Sequence, residues 1–261
     1  MLAGNGLLAA DPIQAKHKQG SNHAFILLKD QTGRLIALGD HISITEGNQV
    51  NSRLTFHFKD GSLDDETTVY RQTSVLQLVT DHHVQHGPSF PQPVDLTINM
   101  PENELKWREA KAGKEDVKVE HKSLPADLVN GLLGPMLQNY PKGSAELKAS
   151  YVSGDSKLRI VQLSVKPAGK GDFTVAGTSH LADQYTIHVE LGGIAGAVAP
   201  MLGKQPADTD VWLLAGPAPT FIRLVGALYP TGPIWTAELT SLTWSGEHET
   251  ASAEIRKGRR H

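Results

Sequence analysis

Apolar and polar residues alternate with a period of two along most of the chain. The clearest run is 185–191, in which every second residue is apolar and those between are polar. The segment 54–58 repeats the pattern, with Thr55 and His57 at its polar positions. Because successive side chains of a strand point to opposite faces of a sheet, this pattern predicts half-buried strands in a mainly antiparallel β protein.

Predicted strands follow one another at short intervals and are separated by turn residues, as at 30–33 and 59–62. They are 23–29, 34–45, 50–59, 66–72, 75–85, 93–99, 104–110, 115–122, 145–153, 157–166, 172–176, 183–191, 209–215, 220–226 and 233–243. Short strands at regular spacing are typical of a meander that curls into a barrel or half-barrel.

The pattern changes between residues 123 and 140, where apolar residues recur every four positions. The stripe consists of Leu128, Leu132 and Met136, flanked by Val129, Leu133 and Leu137. Gly131, Gly134 and Pro135 interrupt it, so a kinked helix over 125–140 is expected. The predicted fold is mainly β with minor α: a strongly curved antiparallel sheet, or half-barrel, wrapped around this one central helix.

The predicted domain organisation is a flexible N-terminal arm over 1–21, a single β-rich domain over 22–246 and a flexible C-terminal tail over 247–261. The segment 192–203 is small, apolar and uncharged, which suits either a buried connection or a mobile lid. Neither half of the chain is separated from the other by a linker of disordered composition, which favours one domain.

Bulk composition excludes several classes of function. The chain has 261 residues and a net charge of −3, which gives no general attraction for nucleic acid. It contains no cysteine, so disulfides, thiolate metal sites and cysteine nucleophiles are excluded. No apolar run approaches the roughly 20 residues that span a bilayer, so no integral membrane segment is expected.

The N-terminal residues 1–10 are too weakly apolar for a signal peptide. The expected location is therefore periplasmic or extracellular if a signal peptide has been removed, and cytoplasmic otherwise. The glycine pairs at 169–171 and 192–193 lack the strand-to-helix phosphate fingerprint, so no cofactor is predicted.

The densest polar cluster of the sequence is 81–86. On a strand, Asp81, His83 and Gln85 share one face, whereas His82 and His86 share the other. Imidazoles are good ligands for first-row metals, and His82 and His86 would need help from a distant histidine to chelate one. A solvated strand edge is the alternative interpretation.

Two further strings bear on chemistry. The acids at 64–66 follow a turn and are expected at a solvated hairpin end, although paired carboxylates also serve hydrolases. The proline-rich string 87–93 predicts a rigid loop that packs Phe90 into the sheet. Ser89 lacks the Gly-x-Ser-x-Gly context of an activated serine, so it is not expected to be a nucleophile.

The order of parts resembles a group of bacterial envelope proteins. A β meander, a leucine-rich helix starting at 123–128 and further strands are similar in architecture to the LolA/LolB-like lipoprotein carriers. The strings 53–68, 87–91 and 232–235 are similar to hypothetical proteins from soil bacteria. The resemblance to the carriers implies a curved sheet that encloses an apolar cavity for acyl chains, closed here by the helix 125–140.

Three functions are consistent with these observations. The first is a non-enzymatic carrier of the bacterial envelope that binds a hydrophobic small molecule or lipid. Its apolar lining would be Leu128, Leu132, Leu133, Met136, Trp212 and Trp235. The second is a metal-dependent hydrolase that uses Asp81, His82, His83, His86 and the acids at 64–66. The third is a structural or interaction module of the envelope.

Overall fold

The computed structural model describes residues 12–111, 114–153, 158–175, 177–191, 205–240 and 242–244. Within these ranges the protein is almost entirely β, with one helix of six residues. The elements are β1 (Asn22–Lys29), β2 (Leu35–Glu46), β3 (Gln49–Phe58), β4 (Leu63–Gln72), β5 (Leu76–His86), β6 (Val94–Asn99), β7 (Glu104–Lys111), β8 (Lys114–His121), α1 (Leu133–Gln138), β9 (Leu147–Ser153), β10 (Arg159–Val175), β11 (Thr178–Glu190), β12 (Thr209–Leu214), β13 (Phe221–Gly226), β14 (Trp235–Leu239) and β15 (Leu242–Trp244). The prediction of a mainly β protein is confirmed.

The described strands form a single antiparallel sheet. Its order is β15-β10-β11-β12-β13-β14-β1-β2-β3-β4-β5-β6-β7-β8, and β9 pairs with β10 beside this path. Most neighbours are joined by hairpins, but β1 pairs with β14, which lies late in the chain. The pairing described does not close the sheet into a barrel.

The strand β10 is long enough to have two partners on the same edge. Its first part, up to Val165, pairs with β9, and its last three residues pair with β15. A bulge between Pro167 and Gly169 separates the two parts. A bulge bends a strand and increases its local twist, and this lets one strand serve two partners.

The main hydrophobic core joins both ends of the sheet. It contains Val50 and Tyr70 from β3 and β4, and Val165 and Ile187 from β10 and β11. These strands lie far apart in the sheet order, so the sheet must curve to bring their inner faces to the same core. The segment 124–137 fills the space between them, with Leu124, Leu128, Val129, Leu132, Met136 and Leu137 all buried.

The predicted central kinked helix over 125–140 is wrong. Only Leu133–Gln138 is helical, and the residues before it follow an irregular path along β9. Leu128 forms a parallel bridge with Ser150, and the Val129 N–H donates to the Ser150 carbonyl. Gly131 has a φ of +64°, a left-handed conformation that ends any helix there. The apolar stripe correctly identified a buried segment, but its secondary structure is mostly not helical.

A second core lies under the middle of the sheet. Phe58, Phe90 and Trp235 meet there, with the Phe58 and Phe90 ring centroids 5.2 Å apart. Phe90 comes from the loop 87–93 and is buried, so the prediction that this loop packs Phe90 into the sheet is confirmed.

Near the N-terminus, Ile13 and Ala15 are buried in the main core, and Gln14 forms a bridge with Val75. The segment 192–203 lies outside the described residues. In the ranges that are described, the chain contains no helix with the length and apolar character needed to cross a membrane.

Candidate functional site

A row of polar side chains lies on the inner face of β4 and β5. On β4 the inward positions are Asp64, Glu66 and Thr68, and in register across from them on β5 lie Gln85, His83 and Asp81. Period-two geometry places each set of three on one face of its strand. We call Asp64, Glu66, Asp81 and His83 the acid–histidine cluster.

Short hydrogen bonds hold the cluster together. His83 Nε2 lies 2.7 Å from Asp64 Oδ1, and the Thr68 hydroxyl donates to Asp81 Oδ1 at 2.8 Å. Asp81 is fully buried, and its second oxygen, Oδ2, has no hydrogen-bond partner within the described part of the chain. A buried carboxylate oxygen without a partner carries a large desolvation cost when it is charged.

Gly131 brings the segment 124–137 against this cluster. Its backbone N–H donates to Glu66. A Cβ at this position would lie 1.8 Å from the Thr68 hydroxyl and 2.8 Å from Asp81 Oδ1. Glycine is therefore required twice, once by the left-handed φ and once by the lack of space.

Burial and the repulsion between neighbouring charges raise the pKa values of Glu66 and Asp81. Burial raises the pKa of Glu66, and the Asp64 charge adds to this effect against the opposing charge of His83. Burial and the Glu66 charge raise the pKa of Asp81 well above its ordinary value. Two neighbouring acids at a largely buried site do not both ionise at low cost, so one of them favours its protonated form.

The pKa of His83 is raised, whereas burial alone would lower it. Burial lowers its pKa, but the hydrogen bond to Asp64 and the charges of Glu66, Asp64 and Asp81 raise it to about 9. His83 is therefore a cation at neutral pH. Burial and the nearby carboxylates also raise the pKa of the Tyr151 phenol, on β9.

The acid–histidine cluster can bind and release protons, and it accepts one backbone hydrogen bond, from the Gly131 N–H. Gly131 and Thr68 already occupy the space next to Asp81. Within the described ranges, no group of three or more histidine, aspartate or glutamate side chains is arranged to hold a metal ion.

The residues predicted to line an apolar cavity lie in three places. Leu128, Leu132 and Met136 are buried in the main core, and Leu133 packs against its edge. The other two predicted lining residues are tryptophans elsewhere in the sheet. Trp235 belongs to the second core, and Trp212 lies in a third cluster, where the Arg223 guanidinium sits 5.7 Å from its ring centre.

Little space remains beside the buried segment. The pocket next to Leu128 and Leu132 has a volume of about 10 Å³, which is about the space of one water molecule. Ile13 and Leu76 also line this pocket.

The two predicted metal ligands lie on the outer face of β5. The His82 side chain is 48% exposed and pairs with Asp95 at 3.0 Å, and His86 is also exposed. Asp81 and His83 point to the inner face. The structure thus separates the hydrolase candidates 81–86 between two faces of one strand, as the alternation implies.

The sequence interpretation missed the role of the acids at 64–66. Asp64 and Glu66 were expected at a solvated hairpin end, but Asp64 is buried and both belong to the cluster. The available signal was the period of two, which places Asp64, Glu66, Thr68 and Tyr70 on one face of β4. Because Tyr70 is a large apolar residue, it marked that face as the inner one.

The outer face of β1–β3 carries exposed apolar side chains. Phe25 and Leu38 are each 56% exposed, Ile44 is 51% exposed and Ile42 is 40% exposed. A shallow depression of about 160 Å³ lies beside Ile42. It is lined by Asp40, Ile42, Arg53, Thr55 and His57. We call Phe25, Leu38, Ile42 and Ile44 the outer apolar patch.

Two ion pairs lie beside the outer apolar patch. His23 Nε2 lies 2.7 Å from Asp40, and Arg53 makes a bidentate contact with Asp65 at 2.8 and 2.9 Å. The face therefore presents apolar side chains beside paired charged groups.

No protein-family model matches this chain, and no curated protein matches it either. Among solved structures, it is similar to the crystal structure of a beta-barrel-like protein of the domain of unknown function DUF1849 from Brucella abortus. The two chains share 10% sequence identity, and the match covers 87% of this chain and 99% of that one with a TM-score of 0.45. The fold described above depends on this chain's own strand pairing, and the resemblance to LolA/LolB-like carriers stays a prediction.

Proposed function

We propose that this protein is a non-enzymatic interaction module of the bacterial envelope that binds a partner protein through the outer face of β1–β3. The observation that carries the proposal is the outer apolar patch, in which four large side chains of two adjacent strands face solvent. Clusters of exposed apolar side chains with polar surroundings are typical of protein–protein interaction sites.

The pairing of charges supports a protein as the partner. His23 is paired with Asp40, and Arg53 with Asp65, so the face offers no excess of basic groups to anionic lipid. Burial of the four apolar side chains would supply most of the binding free energy, at about 25 cal/mol for each Å² removed from water. A partner with an apolar, nearly neutral surface fits this face best.

A carrier function is less well supported. A lipid-sized guest needs a cavity of about 300–1,000 Å³, whereas the pocket beside Leu128 and Leu132 has about 10 Å³. Emptying the interior would expose Leu128, Val129, Leu132, Met136 and Leu137, which are all buried. At about 1.5–3 kcal/mol for each side chain, that cost is comparable to the whole stability of a domain.

The experiment is photo-crosslinking in living cells of the native bacterial host, which express the protein with a photoreactive residue. A photoreactive residue replaces Leu38 in the patch, and the matched control replaces Leu181 on β11, which is 40% exposed. We expect a discrete adduct with another protein from position 38 and none from position 181. The second change Ile42→Glu should remove the adduct, because a charge in the patch opposes burial.

Three outcomes would contradict the proposal. They are equal adducts from both positions, no adduct from position 38, and an adduct with the mass of two copies of this chain. Fractionation of the same cells tests the envelope location, since recovery in the cytoplasm alone would contradict that part.

A further inference from the structure

The turn formed by residues 127–131 is fastened to the two walls of the core in different ways. On the β9 side, the Ser150 hydroxyl donates to Asp127 at 3.0 Å, and the Asn130 amide donates to the Val152 carbonyl at 3.0 Å. The Val152 N–H in turn donates to the Asn130 side chain at 2.9 Å. On the β4–β5 side, Gly131 contacts the acid–histidine cluster, so titratable groups hold that end of the turn.

We propose that Glu66, Asp81 and His83 form a proton-operated latch, which holds the turn 127–131 against the sheet at neutral pH and loosens it at alkaline pH. This inference is independent of the outer apolar patch and goes beyond the proposed function. Its ligand is the proton, and Gly131 packs so closely on the cluster that even a Cβ there would lie 2.8 Å from Asp81 Oδ1.

The geometry makes the cluster sensitive to a single proton. Asp81 Oδ2 is buried without a hydrogen-bond partner in the described ranges, so a proton on Asp81 removes an uncompensated charge. Glu66 faces His83 across the strand pair and accepts the Gly131 N–H. The Gly131 bond favours the ionised form of Glu66, so the change at alkaline pH is assigned to Asp81. When Asp81 ionises, its charge repels that of Glu66, and this repulsion acts on the groups that Gly131 contacts.

Further titratable groups surround the cluster. β4 contributes Asp64, which is bonded to His83, and β9 contributes the Tyr151 phenol. The turn itself contributes Asp127, which is bonded to Ser150. In the register described, the inner neighbours of His83 and Asp81 on β6 are Leu96 and Ile98, which carry no charge. His83 is the cation of this set, and its loss at alkaline pH acts in the same direction as ionisation of the carboxyls.

The loosening is local because apolar packing holds the rest of the segment. Leu132, Met136 and Leu137 are buried in the main core and carry no titratable group. The β9 contacts of Asp127 and Asn130 involve no member of the cluster. The turn is therefore expected to gain mobility at Gly131 and Asn130 while α1 stays in place.

Carbon-detected NMR relaxation of the full chain tests the latch between about pH 6.5 and pH 9.5. In the wild type, the order parameter of Gly131 should fall from about 0.85, typical of a rigid backbone, to below about 0.6 at alkaline pH. Val211 on β12, which is buried in the same core, should stay rigid throughout.

The variant Asp81→Asn keeps the shape of the protonated acid and cannot ionise, so the order parameter of Gly131 should fall much less at alkaline pH than in the wild type, because the titration of His83 alone remains. The matched control is Asp95→Asn, which alters an exposed histidine pair on the outer face and should leave the wild-type transition unchanged. If Asp81→Asn fails to fold, Glu66→Gln replaces it in the same experiment, and the same result is expected. An unchanged transition in Asp81→Asn or Glu66→Gln, or a wild-type Gly131 that stays rigid at alkaline pH, would overturn the latch.

Discussion

At the scale of single residues, Gly131 joins the segment 124–137 to the polar face of the sheet. Its φ of +64° and its contact with Thr68 and Asp81 leave room for a hydrogen atom and nothing larger. Gly134 lies only three positions later, inside α1, and a Cβ at this position would have no neighbouring atom within 4 Å. The two glycines look equivalent in the sequence, and their surroundings make them opposite cases.

Gly131→Ala should therefore destabilise the protein by about 2–4 kcal/mol, through strain and displacement of the Thr68–Asp81 bond. Gly134→Ala should be neutral or stabilising by up to about 1 kcal/mol, because alanine is the better helix former. Urea unfolding of both variants measures the difference. Equal effects at the two positions would show that the close approach at Gly131 does not constrain the fold.

Residue-scale prediction from the sequence succeeded where one face of a segment was clearly apolar. Phe90 was expected in the sheet and is there, because three prolines and a glycine shape its loop. On β4 the prediction failed, because the acids at 64–66 were assigned to a solvated hairpin end although Tyr70 marks the face of Asp64 and Glu66 as the inner one. Asp64 and Glu66 point inward because the register with β5 places them opposite Gln85 and His83.

At the scale of elements, the segment 124–137 is a buried connection with one short helix. Its spacing of four matched a helical stripe, yet Asp127 and Asn130 bind β9 through their side chains and through bonds to its backbone. Polar side chains that bind backbone groups compete with helix formation. The stripe therefore predicted burial correctly and secondary structure incorrectly.

Burial in this segment leads to a prediction that distinguishes adjacent leucines. Leu132→Ala should lower the free energy of unfolding by about 2–5 kcal/mol, because it removes a fully buried side chain and leaves a cavity. Leu133→Ala should cost about 1 kcal/mol or less, because Leu133 is only partly buried at the edge of the core. Thermal or urea unfolding of both variants measures the two losses of stability. A larger loss of stability for Leu133→Ala than for Leu132→Ala would contradict the packing described.

At the scale of the whole molecule, the acid–histidine cluster gives the fold a pH dependence. The pKa of His83 is about 9 in the folded protein against an ordinary value of 6.5. A raised pKa in the folded state means that the stabilisation is complete below about pH 6.5 and is lost as pH rises through about 9. Burial and Glu66 raise the pKa of Asp81, so its ionisation acts with the same sign.

The free energy of unfolding should therefore fall, by on the order of 2 kcal/mol, between pH 6.5 and pH 9. Urea unfolding at constant ionic strength across this range measures the fall. His83→Gln should flatten the profile, whereas His82→Gln on the exposed outer face should leave it unchanged. A wild-type stability that rises over this interval would contradict the arrangement of the cluster.

The sequence by itself determined most of the strands and their turns and the burial of the leucine-rich segment, although it predicted β10 as two strands, 157–166 and 172–176, and β14 with β15 as one, 233–243. Those features depend on local periodicity, which reports which residues share a face. Tertiary structure alone decided that β1 pairs with β14, that β10 has partners on both sides and that the polar face of β4 points inward. Such pairings depend on backbone hydrogen bonds, which nearly any residue can make, so side-chain patterns do not specify them. Tertiary structure also decided the left-handed conformation of Gly131, because this residue packs against Thr68 and Asp81 of the sheet.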